Sequence, residues 1–188
     1  MGTQISVNHP LRKLFGSLTE RSFTETLGWP NFNVTDYLSN LLVQFAHIDQ
    51  LACIKDQEGQ TVESVVDLLY ESEIAKESVE CDHEREVHRH IGDFTLFMMG
   101  LFPEYLTNIK TSGLVYHQDF LVDYVKTGKR SYGIVAEFAQ TDNSGSPALF
   151  QTLSSNFEWC VAGLGLVRLD LDRMKNPTYH KAKNILLN

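Results

Sequence analysis

The chain of 188 residues carries only three cysteines, Cys53, Cys81 and Cys160, and none of them belongs to a Cys-x-x-Cys pair. An odd, scattered set of this kind excludes a disulfide framework and a zinc ribbon, and points to a reducing compartment. Long hydrophobic runs are absent as well. Nothing approaches the roughly 18 consecutive apolar residues of a membrane span, and the opening "MGTQISVNHPLRK" lacks the apolar core of a signal peptide. The expectation is a cytoplasmic protein with no membrane span. "MGTQIS" does fit the loose N-myristoylation pattern, which is short enough to recur by chance. Catalytic fingerprints are missing too: there is no Gly-x-Ser-x-Gly, no His-Glu-x-x-His and no dinucleotide glycine motif. "KTGKRS" places Arg130 where a phosphate loop needs serine or threonine.

What is present is the composition of a globular chain, 43% hydrophobic and 21% charged. A chain of this length buries about 70% of the surface it exposes unfolded, so it can build a core without staples. The formal net charge of −8 is concentrated in one arm. Between Asp56 and Glu86 there are 11 acids and two bases, leaving 13 acids and 14 bases elsewhere. Such a field repels phosphate backbones and attracts cations or basic surfaces, which argues against a nucleic-acid partner. It also suits a solvated helical face.

Apolar residues recur at helical spacing along almost the whole chain. Pro10 suits a first helical position, and Leu11, Leu14, Phe15 and Leu18 follow as a stripe, predicting a helix from about Pro10 to Leu27 that ends at Gly28, Trp29 and Pro30. "NFNVTD" supplies capping residues for a second stripe through Leu38, Leu41, Leu42, Phe45, Ile48 and Ala52. Thr61 is a cap candidate for a third helix carrying Val62, Val65, Val66 and Leu69. A fourth contains Val87, Ile91, Phe94, Met98 and Leu101, with a break expected near Lys76 to Val79. Pro103 starts a short helix that stops near "TSG". Phe120, Leu121, Tyr124 and Val125 begin another stripe, continued by Tyr132, Val135 and Phe138, in which Gly128 is either a kink or a turn. Ser146 as N-cap and Pro147 at N1 open a long stripe from Leu149 to Val167, the candidate for a long, largely buried C-terminal helix. The fold class is all-α: one bundle-like domain of six to eight helices over residues 1–176, with a basic C-terminal tail at 177–188.

One segment is chemically loaded, "ECDHEREVHRHIGD", residues 80–93. On a helix, His83, Val87, His90, Phe94, Phe97 and Leu101 share a side, which sets His83 and His90 at the edge of the core. These two histidines lie two turns apart, roughly 10.5 Å along the axis, too far to share one ion unaided. Glu84 and His88, and Glu86 and His90, are each one turn apart. Glu80 and His83 have the i, i+3 spacing found in di-iron bundle proteins. The metal-site candidates are therefore Glu80, His83, Glu86 and His90, with a transition metal as cofactor. No second Glu-x-x-His occurs, so ligands from elsewhere, Glu104, His117, Asp119 or Glu137, would have to complete such a site.

Arg85 and His90 also form an Arg-x4-His pattern that resembles the catalytic motif of HEPN-type ribonucleases. That resemblance covers six residues and implies histidine as acid or base and arginine stabilising charge on a phosphate, at a dimer interface. The bland alternative is an ion-pair row of Arg85, Arg89 and Asp93 on an exposed flank, with Asp93 half-buried against its arginine ahead of "FTLFMMGLF". Since no complete catalytic constellation is visible and charge is segregated, the leading expectation is a helical module acting through protein contacts or self-association. A metal-dependent helical enzyme and an RNase follow.

Overall fold

A computed structural model of the chain describes residues 10–45, 65–77, 81–105, 123–142 and 146–187. Among these the fold is all-α, with no strand. The helices are α1 (Pro10–Glu20), α2 (Phe32–Phe45), α3 (Val65–Glu77), α4 (Cys81–Leu101), α5 (Tyr124–Asp142), α6 (Pro147–Ser155), α7 (Phe157–Arg173) and α8 (Pro177–Leu187). One hydrophobic cluster takes buried side chains from all eight, from Phe15 of α1 to Tyr179 of α8.

The first helix extends as far as its stripe predicts, but its last six residues, Arg21–Thr26, take the wider π form. Phe23 in this turn is completely buried, and its ring lies so close to Gly163 of α7 that a Cβ there would sit 2.1 Å from it. Gly28, at φ 65°, ends the helix in the left-handed conformation that glycine adopts without penalty. Asn31 then caps α2, its Oδ1 accepting the Val34 backbone N–H at 3.2 Å. The continuation of this stripe to Ile48 and Ala52, the cap at Thr61, the stop at "TSG" and the start at Phe120 and Leu121 lie outside the described residues.

The third helix is described to Glu77 and the fourth from Cys81, and the rest of the break expected near Lys76 to Val79 lies outside the described residues. Gly128 does not turn the chain, because α5 continues through it. Its role is close approach: a Cβ would come within 2.5 Å of both Phe157 and Thr95. The stripe predicted as one long helix is divided at Asn156 into α6 and α7, which meet at φ −116°, ψ 31°. Apolar periodicity continues across that corner, so the pattern alone conceals it. Ser146 and Pro147 do open α6, although the serine side chain makes no capping hydrogen bond. The basic C-terminal segment is helical: Tyr179 stacks on Phe102 with ring centroids 5.6 Å apart, and Lys183 lies 5.8 Å over the Tyr179 ring.

The most enclosed helix is α4. From Val87 to Met98 every residue except Arg89 is buried, because α2, α3, α5 and α7 surround it. Its C-terminal half joins the main core, while Val87 and Ile91 form a separate small cluster with Leu68 of α3.

Candidate functional site

The loaded segment is the N-terminal half of α4, and the structure resolves it into pairs. His83, half exposed, places Nε2 3.1 Å from Oε1 of Glu71, whose side chain is buried on α3. A carboxylate only accepts, so the imidazole Nε2 carries the donated proton. His88, buried, has Nε2 3.9 Å from Oε1 of Glu84 one turn earlier and Nδ1 3.4 Å from the Ser131 hydroxyl on α5. His90, also buried, lies beside the Phe94 ring, with centroids 6.3 Å apart. Arg85 is joined to Asp82 at 3.2 Å.

One turn beyond His90 sits a buried carboxyl group with two hydroxyl donors. Asp93 is 8% exposed, and its Oδ1 accepts two tyrosine hydroxyls, from Tyr37 of α2 at 2.6 Å and from Tyr132 of α5 at 2.8 Å. Burial pushes the Asp93 carboxyl up from 3.8 to about 6, although both hydroxyls and the nearby Arg89 charge pull the other way. The phenols of Tyr37 and Tyr132 are raised well above 10, first by burial and then by the neighbouring carboxylate. Gly92 makes the arrangement sterically feasible. A Cβ at that position would stand 2.7 Å from Cε1 of Tyr132, so the ring lies across the bare helix backbone to reach the next residue's carboxylate.

Measured against the sequence candidates, His83, His90 and Arg85 are placed on α4 as expected, while Glu80 lies outside the described residues, as do His117 and Asp119. Glu86 is exposed whereas His90 is buried. Glu104 is joined to Arg168 at 2.9 Å and to Lys183 at 3.4 Å. Burial would raise its carboxyl, but its own backbone N–H, Lys183 and Arg168 hold it below the usual range. Glu137 is on the outer side of α5. Among the described residues no three His, Cys, Asp or Glu side chains converge where they could hold one metal ion. Since α4 is a regular helix throughout, the five-residue step from Arg85 to His90 rotates by about 140° and directs the two side chains apart.

The expected row of Arg85, Arg89 and Asp93 on an exposed flank does not form, because Asp93 turns inward to the tyrosines. Arg89 acts on it through charge. The sequence reasoning missed Tyr37, Tyr132, Glu71 and Ser131. The one signal for them was an acid set between a glycine and an apolar run, which demands buried donors without naming them.

Elsewhere, a cleft of about 350 Å³ lies between the first helix and α2, lined by residues such as Glu20, Thr24, Phe32 and Asp36, with none from α4. Cys160 is buried in the core, and burial, with Glu158 nearby, pushes its thiol up to about 12, which disfavours the thiolate. No described helix is long and apolar enough to cross a membrane. The chain matches no protein-family model, no curated protein and no solved structure.

Proposed function

We propose that the chain is a helical contact module that works through protein association. The observation carrying this reading is the set of large apolar side chains left on the outer surface. Phe32 is 81% exposed, Tyr70 70%, Met174 53%, Trp159 52% and Leu169 43%. Three of these five belong to α7 and the turn that ends it. Tryptophan, tyrosine, phenylalanine and methionine are enriched at contact surfaces relative to the rest of a protein's exterior.

The polar groups of α4 support the same reading, since the imidazoles face carboxylates or rings and Asp93 is held between two hydroxyls, an arrangement that fixes helices to one another. In the basic segment, Lys183 is joined to Glu104 and His180 faces Asp172 at 4.0 Å. Part of that segment's charge is therefore met within its own chain, which leaves apolar surface as the main driver.

Light scattering and immobilised-chain binding, each run across a range of salt, test the proposal. Association is expected to persist at high salt, because apolar contact is not screened. It should weaken at least tenfold in a Trp159→Ser, Tyr70→Ser variant whose circular dichroism is unchanged. A chain that stays monomeric at every concentration and retains no partner overturns it.

A further inference from the structure

The outward side of α7 has a pattern whose two charged ends pair only in part within the chain, Glu158 with Lys129 and Arg173 with Asp170. Glu158, Ala162, Leu169 and Arg173 are exposed along it, with Gly165 and Leu166 partly so between them. Gly165 is the informative residue. Glycine inside a helix is disfavoured relative to alanine, because it gives up more backbone freedom on folding. A Cβ at Gly165 would meet nothing within 4 Å among the described residues, so no packing among them requires its absence. At Gly100 and Gly163, by contrast, a Cβ would meet Leu164 or Phe23 at 2.4 Å or less.

The pattern is complementary to itself when reversed. About a midpoint between Gly165 and Leu166, the acid Glu158 mirrors the base Arg173, the small Ala162 mirrors the large Leu169, and Gly165 mirrors Leu166. We infer that this face docks on the same face of a second copy of the chain, the two α7 helices lying antiparallel across a two-fold axis between Gly165 and Leu166. This rests on the contact-module reading and names its partner. A two-fold contact requires one patch to complement itself, and this stripe does so in both charge and size. Glu158 keeps its bond to Lys129, at 2.9 Å, and its carboxylate retains room for a second cation because the side chain is 58% exposed. Arg173, 77% exposed and 3.5 Å from Asp170 of its own chain, has donors left to meet that carboxylate and the adjacent Trp159 ring of the other copy. One helix pair is a small interface, so the dimer is weak, with dissociation on the order of micromolar.

Sedimentation equilibrium of the full chain and its charge-swapped variants is the test. Glu158→Lys places two bases opposite each other in a self-pair, and Arg173→Glu places two acids opposite each other. Each variant alone is expected to dissociate at least tenfold more readily than the wild type, while an equimolar mixture of the two forms a one-to-one dimer of near wild-type strength. Gly165→Leu, at an open position, should likewise leave a folded monomer. A wild-type chain monomeric at all concentrations overturns the inference, and so does a dimer that ignores the charge swaps. A monomer that binds a different protein through Trp159 also overturns it, while leaving the contact-module reading in place.

Discussion

The two halves of α4 solve the same problem in different ways. Its C-terminal half, from Phe94 to Leu101, is held by rings and aliphatic side chains, and Leu96 and Met98 are completely buried. Its N-terminal half carries imidazoles and carboxylates, with Val87 and Ile91 forming an apolar patch against Leu68 of α3. Apolar contact is non-directional and tolerates any partner of suitable shape, whereas His83 and His88 each require a particular acceptor or donor. The first half therefore contributes mostly stability. The second contributes mostly the register of α3 and α5 against α4, with Asp93 at the boundary.

The largest effect that would break this contrast is a cavity in the apolar half. Leu96→Ala is expected to cost about 3 kcal/mol in urea unfolding. A loss below about 1 kcal/mol would show that the apolar half is not the main source of stability.

Asp93 gives the next effect, and its sign is fixed by the titration. The carboxyl titrates near 3.8 unfolded and about 6 folded. The native state therefore binds this proton more tightly, so the stability it contributes is full below about pH 4 and is lost as pH rises through 6. The span corresponds to a contribution on the order of 3 kcal/mol. Asp93→Asn keeps an acceptor for both tyrosines and removes the titration. The difference in unfolding free energy between wild type and Asp93→Asn should fall from pH 4 to pH 6 and stay level above. A difference that is independent of pH would exclude a protonated Asp93.

Smaller effects sharpen the polar side. A double-mutant cycle on His83→Ala and Glu71→Gln is expected to give a coupling of about 1 kcal/mol, since the glutamate is buried and the histidine only half so. Arg85→Ala removes a pair whose partner, Asp82, is 84% exposed, and should change stability by less than about 0.5 kcal/mol. The same variant addresses the ribonuclease reading, because RNA incubated with the wild type or with Arg85→Ala is expected to remain intact alike.

Helix positions were largely legible because each helix buries one side and so writes its period into the sequence. The Asn31 cap and the stop at Gly28 were legible for equally local reasons. Asn156 was not, since the apolar period continues across the corner between α6 and α7. The position of Asp93 drew notice, but its partners lie 56 and 39 residues away, and no local pattern connects them. Arg89, four residues before it, was the partner that local spacing could name, and it acts on the buried carboxyl through charge. Glu71 was counted only as one acid in an acidic arm, because burial of a carboxylate depends on what folds over it.

Both tyrosine hydroxyls end on a single atom, Oδ1 of Asp93, so α2, α4 and α5 are riveted together at one point. Three helices that share one rivet cannot loosen independently there. Backbone amides flanking Tyr37, Asp93 and Tyr132 should exchange with deuterium at one common rate, even though they are far apart along the chain.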